Sequence, residues 1–370
     1  MVDVLVSLIS APGSPNRVNE DGWAIVQDPT PPGWVAAAVI DGASVRALLP
    51  SLRAYLDKQG AEECSPTVWA TAIVRQAFYN AFTKQPPSPP FEALLAANRA
   101  LRSASEGAPG MVELFEQLER PLSRPLAEIF QPGSQPLATE LSQLFTKLFP
   151  KQWGQLDSRY LRLVLPVCVT TVVRLNLSTA QFEFAHAGDT LLLKVTATGQ
   201  VHHLSQDQVG PYDQMALDIA VQARHSNNRL TSVAQAIELA PAAREINRLN
   251  GVRHNYVDEI GQPRPTQGCG VVNGLDAIRA HIQTGTGSLS SGDRLYLMSD
   301  GFALPLSSPS EKPSSSLNES LSRWQDALLA GDVDALQEHL QEITEADASR
   351  NIFPRFKHRD DATALMILTL

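Results

Sequence analysis

Cysteine is scarce and poorly placed for bridging. Only Cys64, Cys168 and Cys269 occur in 370 residues, an odd number at wide separations, which argues against both a disulfide framework and a structural zinc site. Long apolar runs are missing too. None approaches the roughly 18 consecutive residues of a membrane span, and residues 1–10 have neither a basic start nor a small-residue cleavage site, so a cytoplasmic protein with no membrane partner is expected. Positive charge is also in short supply. Thirty basic against 39 acidic residues give a formal charge of −9, a field that repels nucleic acid and anionic lipid surfaces. With 43% of residues hydrophobic and 19% charged, the chain has what a sizeable core requires.

Runs rich in Val, Ile, Leu and Thr at 2–9, 23–27, 34–40, 167–176, 182–187, 191–196, 294–298 and 363–370 are predicted strands. The run 182–187, the turn Ala187-Gly188-Asp189 and the run 191–196 suggest a hairpin with glycine at the tight position. A helix is expected from Ser65-Pro66, a capping serine followed by proline at the first helical position, with Trp69, Ile73 and Ala77 at i, i+4 spacing to pack on a sheet and Trp69, Phe78 and Phe82 as core residues. Another is expected over 45–56, divided or kinked by Pro50. Near the end, 317–330 and 333–344 form an expected helical pair, stopped by Gly331 and capped by Asp332. Strands near both ends must belong to one sheet system, so a single α+β domain spanning 1–370 is expected. Residues 84–155, Pro-rich with short helical pieces, are set apart as an insertion, and 306–316 as a loop.

Acidic motifs sit where these strands begin or end. Asn19-Glu20-Asp21-Gly22 precedes the second strand, Asp41-Gly42 ends the third, Gly188-Asp189-Thr190 lies in the presumed hairpin turn, Ser299-Asp300-Gly301 ends 294–298, and Asp360-Asp361-Ala362-Thr363 opens the last strand. Any one of these is an ordinary turn signal. Five in order, each attached to an apolar strand, can converge on one sheet edge, where hard oxygen ligands suit Mg²⁺ or Mn²⁺.

This ordered series resembles the metal-binding series of the PPM (type 2C) metal-dependent protein serine/threonine phosphatases, in a divergent, bacterial-like form. The resemblance implies a four-layer α-β-β-α sandwich with two central, mainly antiparallel sheets. It also implies a monomeric signalling enzyme that hydrolyses phosphoserine and phosphothreonine esters of proteins with metal-activated water. Carried over motif by motif, it implies that Asp41 bridges two metals, that the Gly42 carbonyl binds one of them, and that Asp300 and Asp360 complete the other. Asp21 then acts through water with Glu20 behind it, Asp189 is the candidate ligand of a weaker third ion, and Asp361 supports Asp360. Two positions depart from the family pattern. Asn16 stands where the family often has a phosphate-clamping arginine, with Arg17 one residue later as a substitute, and Ala43 follows Asp-Gly where a histidine can occur.

The alternative is a catalytically silent regulatory module on the same fold, which these departures favour and the retained aspartates oppose. A two-metal nuclease would need a basic groove that the net charge denies. His202 and His203, adjacent in a strand, point to opposite faces and are expected at the surface. His186 is expected to be a satisfied structural histidine. Gly268-Cys269-Gly270 and Gly285-Thr286-Gly287 are expected loops, lacking the ending or spacing of a phosphate loop.

Overall fold

The structure, a computed structural model, describes every residue except 1, 15, 29, 31–32, 44–47, 60–64, 121–124, 131–135, 150–154, 228 and 240–248. Cys64 and residues 45–47 of one expected helix lie outside the described residues. Ten strands form two five-stranded antiparallel sheets. The first sheet runs β1 (Val4–Ala11), β10 (Ala362–Thr369), β9 (Arg294–Met298), β6 (Leu191–Val195), β7 (Val201–His203). The second runs β2 (Gly22–Asp28), β3 (Trp34–Ala43), β4 (Val167–Asn176), β5 (Gln181–Ala187), β8 (Gln283–Ser288). β1 pairs along its whole length with β10, from Val4 opposite Thr369 to Ala11 opposite Ala362, as strands near both ends of the chain require.

Side-chain parity builds the layers, because successive residues of a strand face opposite ways. In β3, Val35, Ala37 and Val39 enter the core between the sheets with Leu192, Leu295, Leu297, Leu365 and Ile367. Ala36, Ala38 and Ile40 face outward, where they meet Val74 and Phe78 of α2 (Pro66–Phe82) and Leu94 and Leu101 of α3 (Pro90–Ser105). On the other sheet, Leu193, Tyr296, Met298 and Met366 face the helices Ser315–Ala330 and Val333–Ala346. The result is helix, sheet, sheet, helix. Strands covered on both faces read as continuous apolar runs, which is why they stand out in the sequence. Among the described residues no helix is long and apolar enough to cross a membrane.

Caps fall where expected. The Ser65 hydroxyl accepts from the Val68 N–H at the start of α2. Gly331, with φ of 83°, closes Ser315–Ala330, and Asp332 accepts from Ala335 N–H to open the next helix. Pro50 does not kink a helix but begins one, α1 (Pro50–Lys58), at the position where its missing N–H costs nothing.

Three further expectations are corrected. The run 182–187 and the run 191–196 are not a hairpin: β5 pairs with β4 and β8, β6 pairs with β7 and β9, and Gly188 carries the chain from one sheet to the other. Its φ is 103°, and a Cβ there would lie 2.2 Å from the Cβ of Val169, so this crossing requires glycine. Residues 285–287 are not a loop but lie within strand β8. Gly285 and Gly287 lie opposite Phe184 and Phe182, and a Cβ on either would come within 2.4 Å of the facing ring. Here glycine marks a close aromatic cover. Within residues 84–155, α3 belongs to the helical layer on the second sheet. The stretch after it, with Met111, Leu114, Phe115, Leu141 and Phe145, forms a separate core with Leu52 and Leu56 of α1 and Leu161 and Val164.

Candidate active site

The inward parity of β3 continues past Val39 to Asp41, so its carboxylate emerges at the open end of the sandwich. There it lines a cleft of about 350 Å³ with Gly42, Asp189, Asp300 and Asp360. Asp189 comes from the sheet crossing, Asp300 from the one-turn helix that ends β9, and Asp360 from the residues leading into β10. The Asp300 N–H donates to Asp41 Oδ2 at 3.2 Å. Burial first, then the charges of Asp21, Asp189 and Asp360, push the Asp41 carboxyl well above the usual carboxylate range. Burial and neighbouring carboxylates do the same to Asp21, Asp189 and Asp300. Like charges this close oppose ionisation of one another, and either a retained proton or a cation relieves them.

The surrounding hydrogen bonds fix the frame. Asp361 accepts from the backbone N–H groups of Gly13 and Glu20, both at 2.7 Å, and so pins the segment leading to Asp21 onto the start of β10. Glu20 turns away from the cleft. Its carboxylate accepts from the Ser65 hydroxyl at 2.7 Å, and its carbonyl from Thr71. Gly42 has no room for a side chain: a Cβ would sit 2.4 Å from Thr67 Cγ2 and 2.5 Å from the Glu20 carbonyl oxygen. The loop before Asp360 is fixed by the buried Asp347. Its carboxylate accepts from the N–H groups of Asn351, Ile352 and Phe353 and pairs with Arg355 at 2.8 Å.

The profile of the protein phosphatase 2C family matches residues 14–344. The chain belongs to that family. No curated protein matches it in sequence. Solved structures similar to it include the S. agalactiae serine/threonine phosphatase, 14% identical with a TM-score of 0.43. RsbX in complex with magnesium is 9% identical, with a TM-score of 0.42. The catalytic domain of the serine threonine protein phosphatase PstP, in complex with 2 manganese ions, is 13% identical with a TM-score of 0.41. In all three comparisons 100% of both chains is covered.

Within this protein phosphatase 2C member, the expected site residues separate into groups. Asp41, Gly42, Asp189, Asp300 and Asp360 share the cleft. Asp21 lies beside it, feeling the charges of Asp300 and Asp361 while lining a neighbouring groove with Trp23, Thr71 and Arg75. Its Oδ2 is buried without a hydrogen-bond partner, as an oxygen meant for a cation should be. The donor set is all hard oxygen and fits Mg²⁺ or Mn²⁺. Among the described residues no group of three acidic, His or Cys side chains is drawn tight enough to hold an ion. Arg17 is not in the cleft but on an adjoining pocket, and Asn16 is exposed. Ala43 lines the cleft and its carbonyl accepts from Thr67, supplying no acid.

His186 is buried as expected: Thr171 Oγ1 lies 2.9 Å from its Nδ1, and the Gly188 and Gln206 carbonyls each lie 3.0 Å from its Nε2. His202 and His203 are exposed on β7. Sequence reasoning missed Lys357, whose Nζ lies 2.6 Å from Asp360 Oδ1, and it also missed Asp213 on the cleft wall. The available signal was the run Arg355-Phe356-Lys357-His358-Arg359, basic residues directly before two aspartates in an acidic chain.

Proposed function

We propose that this protein hydrolyses phosphoserine and phosphothreonine esters of other proteins with the help of two divalent cations, Mg²⁺ or Mn²⁺. The observation that carries the reading is the convergence of Asp41, Asp189, Asp300 and Asp360 on one cleft, with Asp21 beside it, each on its own strand end. Asp41, the Gly42 carbonyl, Asp300 and Asp360 would hold the ions, Asp21 would reach them through water, and Asp189 would serve a third, weaker ion. Bound there, divalent cations lower the pKa of a coordinated water and stabilise charge on the attacking and leaving oxygens.

The chain's own contribution is placement. Asp361 fixes the approach of the Asp21 segment, and the Asp300 N–H orients Asp41. Lys357 partly offsets the cleft's negative charge as the phosphate dianion enters, Coulomb's law favouring a cation within hydrogen-bond reach of a carboxylate.

The test is release of phosphate from phosphothreonine peptides by the purified protein with and without Mn²⁺. Turnover should require metal, and Asp41→Asn or Asp300→Asn should lower kcat by at least about 100-fold while the circular dichroism spectrum is retained. Wild-type rates in either variant with metal still bound would overturn the assignment. Absence of any turnover in the wild type would leave the silent regulatory module as the reading.

A further inference from the structure

Beside the acidic cleft lies a second depression of about 380 Å³, lined by Gly13, Ser14, Arg17, Glu345, Lys357, His358 and Arg359. Lys357, His358 and Arg359 line both hollows, so one wall separates a cluster of carboxylates from a cluster of basic side chains. In a chain of net charge −9 this local reversal of sign stands out. Glu345 is the single carboxylate of the pocket, and it is already engaged by Arg359 and, at 3.7 Å, by His358. The Arg17 side chain is exposed and has no ion-pair or hydrogen-bond partner among the described residues; only its backbone N–H is used, closing a turn onto Ser14. Arg359 Nε and His358 Nδ1 are buried there without hydrogen-bond partners. Buried polar nitrogens without a partner are costly.

We propose that this pocket binds a second anionic group of the substrate, a glutamate or aspartate carboxylate or another phosphate, one or two residues from the phosphoester in the cleft. The proposal rests on the phosphatase reading and names its substrate class: phosphopeptides with an acidic or phosphorylated neighbour. The chemistry favours this division of labour. Cations held by the carboxylates serve the scissile phosphate, whereas a neighbouring anion, out of their reach, meets a guanidinium fork whose paired N–H groups match a carboxylate or phosphate. The shared wall fixes a short spacing, because the residues lining one hollow also line the other. A lone anion at the pocket rim is screened by salt, so the preference should weaken as ionic strength rises.

Three phosphothreonine peptides of equal length test it in Mn²⁺, one flanked by alanine, one by glutamate and one by a second phosphothreonine. The wild type should turn over the two anionic peptides with kcat/KM at least about 10-fold above the alanine peptide, chiefly through KM. Arg17→Ala should reduce that ratio to about 2-fold, with Arg17→Lys in between because it keeps charge and loses the fork. A glutamate advantage equal to the phosphothreonine advantage would assign the pocket to any anion; a larger one for phosphothreonine would assign it to phosphate. Equal kcat/KM for all three peptides, or a preference untouched by Arg17→Ala, would overturn the proposal. If no peptide is turned over, the phosphatase reading fails separately, and fluorescence anisotropy with the same labelled peptides then decides. Tighter binding of the anionic pair that is lost in Arg17→Ala upholds the pocket, and equal binding refutes it.

Discussion

Lys357 and His186 show opposite responses of a basic side chain to its surroundings. Lys357 holds Asp360 at 2.6 Å, and the charges of Asp360, Asp300 and Asp41 push its ammonium above the usual lysine range. A cation on that ligand competes with any metal for it. Lys357→Met should therefore tighten Mn²⁺ binding, roughly tenfold for removal of one unit charge at contact distance in a half-exposed site; isothermal titration showing unchanged or weaker binding would refute the competition. His186 is the opposite case, a histidine whose pKa burial pushes down to about 4. Its folded value lies below the unfolded value of about 6.5, so the stability it contributes is complete above that value and is lost as pH falls toward 4. Its ring resonances should stay those of neutral imidazole at about pH 5, and a midpoint near 6.5 in an NMR titration would contradict the burial. Both residues were differently visible beforehand. A histidine between strand residues reads as structural, whereas Lys357 sits in a basic run whose meaning depends on where the chain folds back.

At the level of elements, the sequence was most legible where both faces of a strand are covered. Residues 34–40 and 167–176 carry no polar alternation; the second run coincides with β4, and the first starts with β3, which continues to Ala43. It was least legible where a partner supplies what a segment lacks. Gln283–Ser288 has two glycines and no large side chain, and becomes a strand because Phe182 and Phe184 cover it. The helix Gly210–Ser226 begins with Gly-Pro and carries only three buried residues, too few for a clear period. The acidic series was readable because strand ends announce themselves, but its grouping was not, since the β5–β6 link that looked like a hairpin in fact joins two sheets.

The helices after α3 give the next expectation. Their Phe115, Leu141 and Phe145 share a core with Leu52, Leu56, Leu161 and Val164 outside the segment. Replacing residues 106–149 with a short Gly/Ser linker would expose those partners, at about 1.5–3 kcal/mol for each large side chain. The product should melt well below the wild type or aggregate, despite containing every proposed ligand. A soluble variant with native melting temperature would show that this second core is energetically separate.

For the whole molecule, the carboxylate cluster couples stability to metal and to pH. Without cations, the raised carboxyls of Asp21, Asp41, Asp189 and Asp300 retain protons that the unfolded chain gives up. The stability they contribute is complete below the unfolded carboxylate range and declines as pH rises through their folded values. A cation bound as proposed would remove that loss and add stability by mass action, because only the folded chain brings these carboxylates together. Excess Mn²⁺ should therefore raise Tm, and by more at about pH 8 than at about pH 5. A Tm gain independent of pH, or none, measured by scanning calorimetry, would contradict coupling through this cluster.

The antiparallel pairing of β1 with β10 joins strands near opposite ends of the sequence, and the bonds from Gly13 and Glu20 to Asp361 span 348 and 341 positions. Contacts of such separation are the last a growing polypeptide can make. A nascent chain on the ribosome has Asp21, Asp41, Asp189 and Asp300 long before residues 360–369 emerge. Until then it lacks Asp360, the anchor that holds the Asp21 segment, and the strand against which β1 must lie. The cleft of the proposed site therefore cannot be completed gradually during synthesis. It is completed in a single step when β10 pairs with β1 and β9, and a ribosome stalled before Ala362 should carry a chain without the proposed hydrolase activity.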